Sequence, residues 1–398
     1  MKKVPAVLTA LAVSCFGFTV FAAEGDAPTV KGNIEIYGAA KLSVDLIDTG
    51  NKTTGADKNL NKVYSNSSRL GFKGSEDLGD GLSAVYQLEL GVNMDGTTQK
   101  TVESISSATT NTTTGVTTIK TKDANVNTLG LRNTYVGLKH NSFGTVLLGT
   151  HDTPYKISTL QFDPFGDSMG DYNAIIGNVN GDANFDLRPK DVIAYASPTW
   201  GGVQVSAAVV QTGQETNNGT DSNSNAYSAS ALYNAGPLAV ALAYEIHKNG
   251  VNAWDGGSAA SPGGTTVTGA KLGAGYTFGG TKVGLVYESL KSDKVNSPFS
   301  RNAMYFSATQ TIGKEKIKLA FGKADDGEDP ATKTGATMMA VGVDHAFSKR
   351  TSVYALYAAT KNDKDATYGL GQSGAGGAYV PGKGEDPSVV SFGINHSF

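Results

Sequence analysis

The chain is poor in cysteine, in charge and in long apolar runs. Its 398 residues include one cysteine, Cys15. A lone thiol excludes an intrachain disulfide and any thiolate metal centre. Charged residues make up 17% and the formal net charge is −3, so no basic field exists for nucleic acid. The five histidines, His140, His151, His247, His345 and His396, are scattered without ligand spacing, and no metal or other cofactor is expected. No Gly-x-Ser-x-Gly elbow, His-Glu-x-x-His pair or Walker-type phosphate loop occurs, so an enzyme is not expected. Mean hydropathy is negative, and past the first two dozen residues no stretch could form a membrane-spanning helix.

That first stretch reads as a signal. Lys2 and Lys3 precede the apolar run Ala6 to Phe21, and Val20-Phe21-Ala22 offers a small-residue cleavage site. Residues 1–22 are therefore expected to be removed, leaving a domain of residues 23–398 with a net charge of −5 once Lys2 and Lys3 are gone.

What the chain has in quantity is glycine, 50 residues, with 17 tyrosines and 15 phenylalanines. These fall in short segments of period two, the period of a strand. Ile34, Ile36, Gly38, Ala40, Leu42, Val44 and Leu46 share one face; Asn33, Glu35, Tyr37, Lys41, Ser43 and Asp45 share the other. A second strand is expected near Val63 to Gly74, a tight turn from Ser75 to Gly81, and a fourth strand near Leu129 to Lys139. The rhythm repeats to the last residue. Short turns, such as Gly279-Gly280, alternate with long polar connections, and the Thr/Ser/Asn-rich segment from Asn93 to Asn127 reads as an exposed, mobile loop. Alternating strands with one smooth and one looped rim are the signature of an all-β, transmembrane, antiparallel up-and-down barrel. Sixteen strands are expected. The alternating aromatics could also form the core of soluble sandwiches in a surface adhesion or structural protein.

One segment breaks the rhythm. Between the strands Gly144 to Gly149 and Asp191 to Ala196, residues 151–190 show neither period and carry Pro154, Pro164 and Pro189. A long irregular segment is usually functional. This one holds Phe162, Phe165, Tyr172, Ile175, Ile176 and Phe185, apolar enough to dock on a wall. It also holds Asp152, Asp163, Asp167, Asp171, Asp182 and Asp186. The expectation is a loop folded into the lumen that brings carboxylates to a water-filled passage. Asp325 to Asp329 reads as a solvated acidic loop rather than a cation or headgroup site.

Several motifs resemble the Gram-negative general porins, in particular the trimeric sixteen-stranded type of β-proteobacteria and neisseriae. They are Ser67-Ser68-Arg69-Leu70-Gly71-Phe72-Lys73-Gly74-Ser75-Glu76-Asp77-Leu78-Gly79, Tyr135-Val136-Gly137-Leu138, Asp152-Thr153-Pro154, Tyr195-Ala196-Ser197-Pro198, Phe347 to Tyr357, and the ending Phe392 to Phe398. The resemblance spans residues 23–398. It implies an outer-membrane homotrimer, surrounded by outer-membrane lipids and lipopolysaccharide, that passes ions and small hydrophilic solutes. It implies recognition of the Phe398 strand by the barrel-assembly machinery. It also implies a pore constriction in which wall arginines Arg69 and Arg132, with Arg188 as a third, face loop carboxylates, for which Asp163, Asp167 and Asp171 are the candidates. Thr150, His151 and Ala194 stand where the family often has basic or polar residues, so weak selectivity or a mild cation preference is expected. A channel specific for one solute is the alternative.

Overall fold

The computed structural model describes residues 33–52, 58–96, 107–110, 117–120, 129–179, 182–183, 185–214, 222–248, 266–292, 299–327, 331–371 and 379–398. These form one unit from Asn33 to Phe398. Sixteen antiparallel strands make its wall: β1 (Asn33–Asp48), β2 (Asn59–Ser65 with Arg69–Gly79), β3 (Leu82–Val92), β4 (Leu129–Leu131 with Thr134–His140), β5 (Gly144–Thr150), β6 (Val192–Ala196), β7 (Val203–Gln214), β8 (Ser222–Ala235), β9 (Leu238–Lys248), β10 (Thr266–Phe278), β11 (Thr281–Ser292), β12 (Phe299–Ile312), β13 (Glu315–Ala324), β14 (Ala336–Ala346), β15 (Thr351–Asn362) and β16 (Ser388–Ser397). Each pairs with its neighbour in sequence, and β16 pairs back onto β1 from Ala39↔Ser397 to Asp48↔Ser388. Closure leaves the described wall without an open edge, as lipid demands of a sheet. Among the described residues, no helix is long and apolar enough to cross a membrane.

The two faces of the wall invert the pattern of a soluble domain. Leu242, Leu272, Leu285, Phe306, Phe321, Met339 and Phe392 are exposed on the outside, while Asp45, Glu245, His247, Lys271, Glu288 and Arg301 are buried inside. An apolar band this broad needs a lipid environment. Phe143, Trp200, Tyr276, Phe278, Phe347 and Phe398 are exposed at the short-turn rim, where an aromatic girdle is expected. Phe398 closes the ring: its N–H donates to Gly38 O at 3.0 Å, and Gly38 N–H donates to Phe398 O at 3.1 Å.

Two strands differ from the alternation read in the sequence. The second continues to Gly79, so the tight turn shrinks to Asp80 and Gly81. It is also broken at Asn66–Ser68. There Ser67 takes a positive φ of 58°, Lys41 N–H donates to Ser68 Oγ at 2.9 Å, and the Ser68 hydroxyl donates to Lys41 O at 3.0 Å. A serine hydroxyl thus stands in for a ladder partner. The fourth strand breaks at Arg132–Asn133, where Arg132 N–H still reaches Glu89 O at 2.8 Å. Such irregularities redirect side chains at functional positions. The loop read from Asn93 to Asn127 lies largely outside the described residues, except for residues 93–96 and a short antiparallel pairing of Ser107–Thr110 with Thr117–Lys120.

Candidate functional site: the constriction inside the barrel

The segment between β5 and β6 folds inward. It opens with a short helix, α1 (Pro154–Thr159), whose first turn is set by sequence. Pro154 supplies a pre-formed helical φ, and the Thr153 hydroxyl accepts from Lys156 N–H at 3.3 Å. The segment then runs along the inside of β10 to β14 and is held there by aromatic rings. Opposite the Phe162 and Phe185 rings the wall is stripped to glycine. A Cβ added at Gly273 or Gly275 would strike the Phe162 ring, and one at Gly269 would strike Phe185. Phe162, Phe165, Tyr172, Ile175 and Ile176 are buried in one cluster with wall residues Val286, Tyr305, Met338 and Ala340. These glycines are sockets, and their spacing within β10 fits the inward face of a strand.

A buried polar network fixes the same side. Arg301 of β12 donates to Glu288 Oε2 at 2.9 Å and to the loop carbonyls of Ile175, at 3.1 Å, and Asn178. Glu288 accepts from Gly177 N–H at 2.9 Å and from Tyr155 OH at 2.8 Å. Lys271 pairs with Asp186. Every member binds loop to wall, so this network anchors the loop.

The open side of the lumen carries a line of charges, from half-buried Lys41, Arg69, Arg132, Asp167 and Arg188 to buried Glu89, Asp152 and Lys156. Asp167, at the loop tip, meets Lys41 Nζ at 2.7 Å and Arg69 Nη2 at 3.4 Å. Arg132 Nε meets Glu89 Oε1 at 2.7 Å, and Glu89 also accepts from Tyr37 OH at 2.9 Å. Arg188 meets Asp152 Oδ2 at 3.1 Å and Asn133 Oδ1 at 2.9 Å, while Lys156 lies 2.9 Å from Asp152 Oδ1. Burial alone would raise the Asp152 pKa, but Lys156 and Arg188 outweigh it and hold the carboxyl well below the usual range. Asp167 is lowered in the same way, burial losing to Lys41 and Arg69.

Of the six residues expected at the waist, the structure brings Arg69 and Asp167 together. It places Arg132 and Arg188 beside carboxylates other than the three expected. Asp163 and Asp171 differ from expectation, because both turn into the loop's own fold. Asp163 accepts from Phe165 N–H at 2.9 Å, Tyr172 N–H at 3.1 Å and Tyr305 OH at 2.8 Å. Asp171 caps the turn at Tyr172–Ala174, accepting from Asn173 N–H at 2.8 Å and Asp167 N–H at 3.0 Å. An aspartate that satisfies nearby N–H groups is acting as turn chemistry. Burial raises the Asp163 carboxyl to about 6, against its three hydrogen bonds. Burial, joined by the neighbouring Asp163 charge, lifts Asp171 well above the ordinary carboxylate value. Lys41, Glu89 and Asp152 were not singled out for the waist. The available signal was period two, which puts Lys41 and Glu89 on the polar faces of β1 and β3.

The Gram-negative porin family model matches residues 7–365. The chain belongs to the Gram-negative porins. Like them, it is an outer-membrane β-barrel, and it forms a water-filled channel for passive passage of ions and small hydrophilic solutes. The porin is 27% identical over 397 residues to outer membrane porin protein 32 of Delftia acidovorans, covering 97% of this chain and 99% of that one. In fold it matches the anion-selective porin from Comamonas acidovorans with a TM-score of 0.71 at 24% identity, covering 92% of this chain and all of that one. It also matches the trimer form of OmpT of Vibrio cholerae with a TM-score of 0.62 at 16% identity, covering 92% of this chain and 99% of that one. Among the described residues, no three His, Cys, Asp or Glu side chains gather as a metal site would require.

Proposed function

We propose that this porin is a homotrimeric general diffusion channel with a mild preference for anions. The observation carrying the preference is the charge at the waist. Lys41, Arg69, Arg132, Lys156 and Arg188 are set against Asp167, Glu89 and Asp152, so five cations face three carboxylates and two positive charges stay uncompensated. Asp163 and Asp171, candidates for the waist from the resemblance, spend their oxygens on the loop's own N–H groups and on Tyr305. Charge rings of one net sign set ion preference in such pores. Because most charges are paired, the preference is weak. The anion-selective Comamonas relative supports the sign, and the trimeric Vibrio relative supports the oligomer. The reading gives Arg69, Arg132, Arg188 and Asp167 the constriction itself, and leaves Asp163 and Asp171 the task of shaping the loop that carries it.

In this reading residues 1–22 are cleaved on export and residues 23–398 make the mature barrel, assembled through its Phe398 strand and embedded among lipids and lipopolysaccharide. The chain works as a channel and not as an enzyme. The test is a planar bilayer with a salt gradient across it. Openings in threes and a reversal potential of anionic sign are expected; openings with a cationic sign would overturn the charge reading while leaving the channel intact.

A further inference from the structure

The connection from β15 to β16, residues 363–387, is the eighth long loop. Its composition reads as that of an ordinary polar rim loop. Its described residues, 363–371 and 379–387, carry side chains that pack instead inside the barrel. Ala366, Tyr368 and Leu370 are buried, and they join the same apolar cluster as Phe165, Met169 and Ile175 of the third loop. Its backbone is held like a built element. Tyr368 N–H donates to Asn362 Oδ1 at 3.0 Å, Asn362 Nδ2 donates to Tyr368 O at 2.9 Å and Glu385 O at 2.7 Å, and the Thr360 hydroxyl donates to Gly369 O at 2.7 Å. On the other flank Lys52 of the first loop binds Gly384 O.

One bond joins the two inward loops directly. Gly371 N–H donates to Met169 O at 3.0 Å. Gly371 has φ +72°, a left-handed conformation that suits glycine. Met169 is two residues from Asp167, the tip residue that meets Lys41 and Arg69. Among the described residues, the aromatic sockets hold the third loop up to Phe165 and again from Tyr172. The tip between them leans on the eighth loop.

We infer that the eighth loop is a working part of the constriction: it latches the tip of the third loop through Met169, and so fixes both the bore and the position of Asp167 against Lys41 and Arg69. The inference rests on the channel reading, and the wild-type openings serve as its control. Tyr368→Ser with Leu370→Ser removes the apolar docking and leaves every strand intact. This pair is expected to raise single-channel conductance, to increase open-channel noise and to shift the reversal potential, because Asp167 leaves its cations. A Cβ at Gly371 would lie 3.5 Å from Met169 Cα. In the same background, Met169→Cys with Gly371→Cys should therefore form a disulfide. Oxidation is expected to restore conductance and reversal potential, and reduction to release them again. Should the double serine variant fail to fold, Gly371→Pro removes the N–H donor and, with φ held near −65°, also forces residue 371 out of its +72° conformation, and is expected to give the same rise in conductance. Unchanged conductance and reversal potential in the serine or proline variant, or oxidation without restoration, would overturn the latch. Absence of openings in the wild type would instead overturn the channel reading.

Discussion

Asp167 lies 2.7 Å from Lys41 and 3.4 Å from Arg69, joining the tip of a loop that starts at β5 to the wall at β1 and β2. This contact spans the barrel and is the only point among the described residues where an expected arginine and an expected aspartate of the waist meet. Both cations sit beside the break at Asn66–Ser68, so the irregular backbone and the charged contact are one feature.

Replacing Asp167 with Asn therefore frees two cations at once. The reversal potential should move further in the anionic direction. Arg69→Gln should move it the opposite way, toward cations. Matched measurements on the two variants in one salt gradient check the sign, and shifts in the same direction would refute the assignment.

Asp163 should behave differently, although it is four residues away. Its pKa in the docked loop is about 6, raised by burial from an ordinary 3.8. A raised carboxyl binds its proton more tightly in the docked state. Its contribution is thus most favourable at acid pH and is lost as pH rises through the window from about 4 to about 6. Asp152 and Asp167, which are lowered, run the other way: their stabilisation is present above the ordinary carboxylate range and lost as pH falls below it. Asp163→Asn keeps an acceptor for Tyr305 and stays neutral at every pH. It should leave the reversal potential unchanged and abolish the rise in open-channel noise between about pH 4 and pH 6. Noise recorded across that range in both proteins decides it.

The architecture was legible because period two, turn chemistry and aromatic ends all agree in β1, β7 and β16, and a closed barrel is what such agreement requires. The inward third loop was legible from its lost period and from Phe162, Phe165 and Tyr172. Two things escaped the sequence reading. An aspartate in a turn looks the same whether it faces water or caps its own N–H groups, so Asp163 and Asp171 could not be told from Asp167. The eighth loop was hidden because Ala366, Tyr368 and Leu370 are few and are set among charged residues. Their burial follows from a neighbour, the third loop, nearly two hundred residues earlier in the chain.

The glycine sockets make a steric prediction. Gly273 faces the Phe162 ring, and valine there would occupy the ring's place. The ladder of β10 stays intact, so the barrel should keep its heat-modifiable gel mobility while the loop is displaced. Conductance should rise. Phe162→Ala should also raise it, since emptying a buried phenylalanine site costs about 3–5 kcal/mol of loop docking.

The anchoring network should fail asymmetrically. Arg301→Ala removes the partner 2.9 Å from Glu288 and leaves that carboxylate buried, with Lys271 3.8 Å away. Breaking one side of such a pair costs about 3–5 kcal/mol, whereas removing both charges together costs far less. Arg301→Met combined with Glu288→Gln should therefore be milder than Arg301→Ala alone. The temperature at which the folded gel band converts to the unfolded one reads the difference.

Phe398 invites a separation of two roles. Its backbone closes the ring through paired bonds with Gly38, and its ring covers the site where Gly38 has no side chain. Phe398→Ala keeps the backbone bonds and removes the ring. If the ring only packs against Gly38, the variant should lose stability to the same degree whether it is refolded in detergent or assembled in the cell. If the barrel-assembly machinery reads the terminal ring, refolding in detergent should proceed with a small loss, while the folded yield in outer membranes falls much further. The second pattern is the expected one, because the packing contact lies at the lipid-facing rim, where the side chain is half exposed and its removal opens no enclosed cavity.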